Sequence, residues 1–179
     1  MRVNDDALGA MPTYSWACPP YNISMTAEDW MHEAIACAKQ ALAADEVPIG
    51  CIIVHLPTNQ IIGRGFNHRE TNHDPTAHAE ILAMREAGTA LNHWRLLDCA
   101  LIVTLEPCPM CAGAIVNARI PKLIYGCDDP KAGAVRTLYQ LCEDPRLNHR
   151  VEVTAGVLAD ECAQLLRDFF ARQRQLGKK

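Results

Sequence analysis

The sequence has no apolar run approaching the ~20 residues that a helix needs to cross a bilayer, so no membrane-spanning helix is expected. Residues 1 to 23 contain no apolar core of the kind a secretory signal requires. Internal repeats are absent, and no composition shift marks a boundary between domains. An excess of basic charge is missing too: 17 Lys and Arg face 21 Asp and Glu, for a net charge of −4. A protein that tracks a long polyanion presents a broadly basic surface. Any nucleic-acid contact must therefore come from a local patch. One candidate is the chain end, where Arg167, Arg172, Arg174, Lys178 and Lys179 stand against only Asp168. Cations there also suit the negative end of a terminal helix.

What the chain does contain is a composition of 49% hydrophobic and 21% charged residues over 179 positions, which fits one globular domain with a well-buried core. Its nine cysteines are odd in number and scattered, which without an export signal points to a reducing cytoplasm. Residues 1–25 hold Pro, Asn and Asp without periodicity and read as an extension, with Tyr14 and Trp16 the side chains able to tack it down. The folded domain is expected over residues 26–179.

Thr26 and Asp29 form a capping-box pattern ahead of Met31, Ala34, Ile35, Ala38, Ala41 and Leu42 at helical spacing. Two strand-like runs, residues 48–55 and 60–66, flank a turn and predict a hairpin. Gly63 and Gly65 in the second run suggest a bulge or a close backbone approach. Further strands are expected at 99–105, 122–127 and 150–154, with a short helical stretch around Leu138 to Leu141. Residues 159–175 read as an amphipathic helix with Cys162, Leu165, Leu166, Phe169 and Phe170 on one face. This order predicts a three-layer α/β/α domain around one mixed, five-stranded sheet.

The chemistry concentrates in two short segments. Pro107-Cys108-Pro109-Met110-Cys111 follows an apolar run. A proline pushes the residue before it towards extended geometry and itself suits the first helical turn. Cys108 is then a helix cap and Cys111 the third helical position, both at the positive end of a helix dipole that favours thiolates. Such a pair reads as half of a zinc site. The other half is Asp74-Pro75-Thr76-Ala77-His78-Ala79-Glu80-Ile81, where Asp74 or Thr76 can cap a helix beginning near Pro75. One imidazole and two thiolates make a zinc shell with a position open for water. Glu80 lies two residues from His78, ~200° away on a regular helix, so it is not expected to be a ligand. From an irregular first turn it can reach the water and carry its proton.

The H-A-E and P-C-x-x-C motifs together resemble those of the zinc-dependent nucleobase deaminases, whose established signature they match. More narrowly, Asp74 to Ile81, Thr104 to Ile115 and Asn148 to Glu152 look like the bacterial tRNA-specific adenosine deaminase family, over nearly the whole stretch from Thr26 to Leu176. The resemblance implies a cytidine deaminase-like fold and conversion of the wobble adenosine of a tRNA anticodon stem-loop to inosine. It also implies one Zn2+ per subunit, held by His78, Cys108 and Cys111, with Glu80 as the proton shuttle. By the same carry-over, backbone groups of Ala79 and Pro107 orient the base, Asn67 contacts the flipped nucleotide, and Asp129 and Asn148 line the anticodon-loop side. A homodimer is implied as well. Two other readings share the metal residues: a deaminase of free guanine, cytosine or nucleosides, and a structural zinc module. The latter is disfavoured because no fourth Cys or His has suitable spacing.

Overall fold

The structure is a computed structural model that describes residues 25–178. The expected extension, with Tyr14, Trp16 and Cys18, lies outside the described residues apart from Met25. The elements are α1 (Ala27–Ala43), β1 (Gly50–His55), β2 (Gln60–Phe66), α2 (Ala79–Ala90), β3 (Cys99–Leu105), α3 (Pro109–Asn117), β4 (Lys122–Cys127), β5 (Glu152–Ala155) and α4 (Ala159–Gln175). The strands form one sheet in the order β2-β1-β3-β4-β5. β1 is antiparallel to both β2 and β3, whereas β3, β4 and β5 run parallel. The three layers and the mixed five-stranded sheet are those expected.

The layering follows from alternation along the strands. Cys51, Ile53, Leu101, Val103, Leu123 and Tyr125 face α2 and α3. Their neighbours Ile52, Val54, Ala100, Ile102 and Ile124 face α1 and α4. Successive strand residues point to opposite faces, so a sheet covered on both sides needs strands that are apolar at every position. β3 (Cys-Ala-Leu-Ile-Val-Thr-Leu) is such a strand apart from Thr104, whose hydroxyl accepts from Gly50 N. No described helix is long and apolar enough to cross a membrane.

Direction matters more for function than composition does. Because β1 is reversed between them, β2 and β3 end at the same edge of the sheet, and β4 ends beside β3. The residues after β2, β3 and β4 are thereby gathered along one rim.

The capping box at Thr26 forms as the sequence predicts, with Asp29 N donating to Thr26 Oγ1 and Thr26 N to Asp29 Oδ2. Three expectations are corrected. α2 begins at Ala79, not near Pro75, and its cap is His78. Asp74 does act as a cap, but of a tight turn: its Oδ1 accepts from Thr76 N at 2.7 Å and Thr76 Oγ1 at 2.6 Å. The carbonyl of Ala77 is taken by His68 N in the preceding loop. No helix forms around Leu138 to Leu141. The amides of Val135, Arg136 and Thr137 donate to the carboxylate of Glu106 and so enter no helical ladder. The last strand also starts two residues late, at Glu152.

The edge strand β2 shows how closely the layers approach. A bulge interrupts its register opposite Ile53 and Val54. Its outward-facing Arg64 donates its backbone N–H to Glu86 and a guanidinium N–H to Glu33. A Cβ on Gly65 would stand 2.1 Å from the carbonyl oxygen of Ala79, in the first turn of α2. Only a residue without a side chain lets that turn rest on the strand.

This contact yields a paired expectation. Gly65→Ala should lower the unfolding midpoint by an amount equivalent to about 2–4 kcal/mol, because the backbone must give way. Gly113→Ala, in α3 where an added Cβ meets nothing within 4 Å, should instead stabilise by about 0.5–1 kcal/mol. Urea unfolding of both variants is the measurement, and equal midpoints would contradict the assignment of tight and open positions.

Candidate active site

Two helix starts converge on the rim. His78 is the N-cap of α2 and Cys108 the N-cap of α3; both are extended, and neither side chain bonds its own helix. Pro109 occupies the first turn of α3, which leaves Cys111 at the third helical position, as expected from the sequence. Freed from capping, the three side chains turn towards one another. His78 Nδ1 lies 3.7 Å from Cys108 Sγ and 3.6 Å from Cys111 Sγ. The three ligand atoms all fall within 4.8 Å of each other.

These distances suit zinc. Tetrahedral coordination with Zn–S near 2.3 Å and Zn–N near 2.0–2.1 Å separates sulfur from nitrogen by about 3.6 Å. At Cys108 the electrostatics suit it as well. The Cys108 thiol is pulled down to about 4, chiefly by a hydrogen bond from Cys111 and also by His78, against the opposing effect of burial. Cys111, with that thiolate and Glu80 beside it, is pushed up. The hydrogen bond with Cys108 raises the pKa of His78.

His78, Cys108 and Glu80 line a cavity of about 440 Å³, with Cys111 buried behind them. Glu80 sits in the first turn of α2, only 4% exposed, and burial raises its pKa. It is not one of the converging ligand atoms. The rotation argument of a regular helix does not apply as expected, because His78 precedes the helix and only Glu80 is within it.

The rim residues complete the cavity. Asn67 follows β2, is 5% exposed, and accepts a hydrogen bond from Ala79 N through Oδ1. Its amide nitrogen is left for a ligand. Asp129 follows β4 and lines the cavity, although its Oδ1 is occupied by the backbone N–H groups of Lys131 and Ala132. The backbone groups of Ala79 and Pro107 are engaged within the protein: the former donates to Asn67, and the latter accepts from Ala134 N. Neither residue lines the cavity. Asn148 stands apart, accepting from Arg119 Nη1 just beyond the C-terminal end of α3. A nine-residue helix separates that end from Cys108 by about 13 Å at 1.5 Å per residue.

Several lining residues went unpredicted as cavity groups. Arg69 and Lys131 supply cations, and Leu166 and Phe170 of α4 supply an apolar wall. The amphipathic pattern of α4 located the face but not what it borders. Glu106 also escaped notice, although an acid closing an all-apolar strand is a visible anomaly. Of the terminal cations, Lys178 is paired with Asp45 at 2.9 Å, while Arg172 and Arg174 are exposed. Lys179 lies outside the described residues.

A second concavity, about 1000 Å³, lies between α2 and α3 and is lined by Met84, Leu96, Ala114 and Trp94. It contains none of the ligand or acid groups just described.

Comparison with known proteins agrees with this site. Residues 25–174 match the family model described as MafB19-like deaminase. The chain is 48% identical over 149 residues to a tRNA-specific adenosine deaminase of Streptococcus pyogenes serotype M1, covering 83% of this chain and 86% of that protein. It is 49% identical over 152 residues to the tRNA-specific adenosine deaminase of Bacillus subtilis, covering 85% and 91%. A solved structure from work on A-to-I editing by tRNA:A34 deaminases at the wobble position superposes with a TM-score of 0.73 at 42% identity, over 76% of this chain and 98% of that one. By its fold, its metal-ligand triad and these relatives, the chain belongs to the tRNA-specific adenosine deaminase family, within the MafB19-like deaminases.

Proposed function

We propose that the protein hydrolytically deaminates adenosine to inosine at the wobble position of a tRNA anticodon stem-loop, with Zn2+ held by His78, Cys108 and Cys111. The observation that carries this reading is the buried Glu80 beside a ligand triangle of zinc dimensions. A bound zinc supplies a water acidified to near neutrality and an open coordination position. The chain's own groups do the rest. Glu80 takes one proton from the attacking water and delivers it to ring N1, then takes the remaining hydroxyl proton and passes it to the departing amino group. Its burial favours a carboxyl that holds a proton between these steps. Asn67 offers its amide nitrogen to the base, fixed in that orientation by Ala79 N. Asp129 borders the nucleotide. Phe170 and Leu166 shield the cavity from water on the α4 side.

An RNA loop is the substrate that suits the surface. Unstacked bases are cheaper to extract than paired ones, and a net charge of −4 disfavours tracking of a long polyanion. Arg174 follows Phe170 by one helical turn, so a cation adjoins the rim. A homodimer docked through the α2–α3 concavity would cover Trp94, which is 59% exposed. Arg119 lines that concavity and holds Asn148, so this arrangement brings Asn148 to the subunit boundary. The free cysteines of the described residues accord with the reducing cytoplasm in which tRNA is modified.

Metal and chemistry separate by mutation. Cys108→Ser and Cys111→Ser should each lose zinc by elemental analysis, whereas Glu80→Gln should retain it and fall by at least ~10² in turnover. Retention of a full equivalent of zinc by either serine variant would refute the ligand set. For the substrate, zinc-loaded protein given an anticodon stem-loop should form inosine at rates orders of magnitude above those for free adenosine, cytidine or guanine. Chromatography of inosine, uridine and xanthine decides it; preferred turnover of free guanine or cytidine would overturn the RNA assignment. The pair Arg172→Ala and Arg174→Ala should reduce the salt slope of stem-loop binding by roughly 1. An unchanged slope would leave those cations as a solvated helix end.

A further inference from the structure

Between β3 and α3 stands Glu106, 2% exposed, whose carboxylate collects donors from a single loop. Its Oε1 accepts from Val135 N at 3.1 Å, Arg136 N at 2.8 Å and Thr137 N at 3.0 Å. Its Oε2 accepts from Asp129 N at 3.0 Å and from the Thr137 hydroxyl. The two groups of donors are the two ends of one segment, residues 129–137. Between them lie Pro130, Lys131 and Ala132, which with Asp129 form one wall of the cavity. Backbone and carboxylate are in direct contact here: a Cβ on Gly133 would sit 2.2 Å from Glu106 Oε2.

The other end of Glu106 is tied to the metal site. Two residues on, through Pro107, comes Cys108, and Pro107 O accepts from Ala134 N at 2.9 Å. One side chain thus joins a metal-ligand strand end to the opposite wall. An apolar residue of the same size could fill the space, but it could not draw four backbone N–H groups and a hydroxyl to one point. Charge-assisted acceptors bind such donors about twice as strongly as neutral ones.

We propose that Glu106 is a positioning residue for the deaminase: its carboxylate sets the Asp129–Ala132 wall in register with Cys108, so that a nucleotide held by the wall meets His78 and Glu80. The role rests on the proposed deaminase function. It predicts an effect on substrate capture, because Glu106, although it borders the cavity, spends its carboxylate on the loop and hydrogen-bonds neither a ligand atom nor Glu80.

Glu106→Gln tests it with almost no change in shape. A carboxamide oxygen can keep the three donors of residues 135–137, but its NH2 then faces Asp129 N, donor against donor. The variant should bind one zinc per chain and keep its sheet. Amide exchange at Asp129 and residues 133–137 should quicken by ~10-fold or more, with β1 and β3 unchanged. In single-turnover assays the half-saturating concentration for the stem-loop should rise ~10-fold while the saturated rate stays within ~3-fold. Thr137→Val, which removes one donor at the exposed end of the loop, should move the same readouts in the same direction by less. It serves as the test should Glu106→Gln fold poorly. Unchanged exchange in the wall, or an unchanged half-saturating concentration, overturns the proposal, as does loss of zinc or collapse of the saturated rate alone. If the wild-type protein leaves the stem-loop untouched, the functional reading fails on its own, and amide exchange still judges the wall.

Discussion

Helix α2 and helix α3 each begin with a residue that would ordinarily cap the helix, and in both cases that residue belongs to the group of three that could hold a metal ion. The first-turn N–H groups consequently stay unbonded by the cap side chain, at the positive ends of both helices. Their partial positive charge favours the thiolate and steadies anionic groups nearby. The rest of the architecture serves to bring these two helix starts within a coordination distance of one another. The reversed β1 aligns the ends of β2 and β3, and Gly65 lets the first turn of α2 lie against the strand. Without that close approach His78 would stand off from the two cysteines by the width of a side chain.

The cavity is assembled from segments far apart in the chain, and this explains what could be read in advance. Cys108 as a cap and Cys111 in the first turn follow from local rules, since Pro109 alone dictates the geometry on either side of it. The start of α2 was not readable in the same way. Asp74 has all the features of a helix cap, yet it closes a turn on Thr76, and the pairing of His68 with Ala77 consumes a carbonyl the helix would need. The stretch around Leu138 has helical periodicity, but its preceding amides are captured by an acid 29 to 31 residues away. Periodicity cannot register a competitor at that distance in sequence.

The same reasoning divides the residues expected to meet substrate. Asn67 and Asp129 come directly after strands, so the parallel ends of the sheet deliver them to the rim regardless of loop detail. Asn148 follows a long irregular connection, and its position depends on Arg119 at the far end of α3. Motif spacing reports the former kind of residue well because the sheet acts as a ruler. It reports the latter poorly, since a loop has no ruler.

The treatment of Arg64 has a consequence for assembly. A sheet's borders are where one protein can zip onto another, because a free border strand offers a row of unanswered N–H and carbonyl groups. On β2 the outward amide of Arg64 is already answered by Glu86, beside a bulge that bends the strand. The opposite border, β5, is four residues long. Both margins are therefore poor templates for continuing the sheet into a neighbouring molecule. A chain built this way can keep a flat, apolar five-stranded centre at cellular concentrations without polymerising, and any association between copies is steered to its helices.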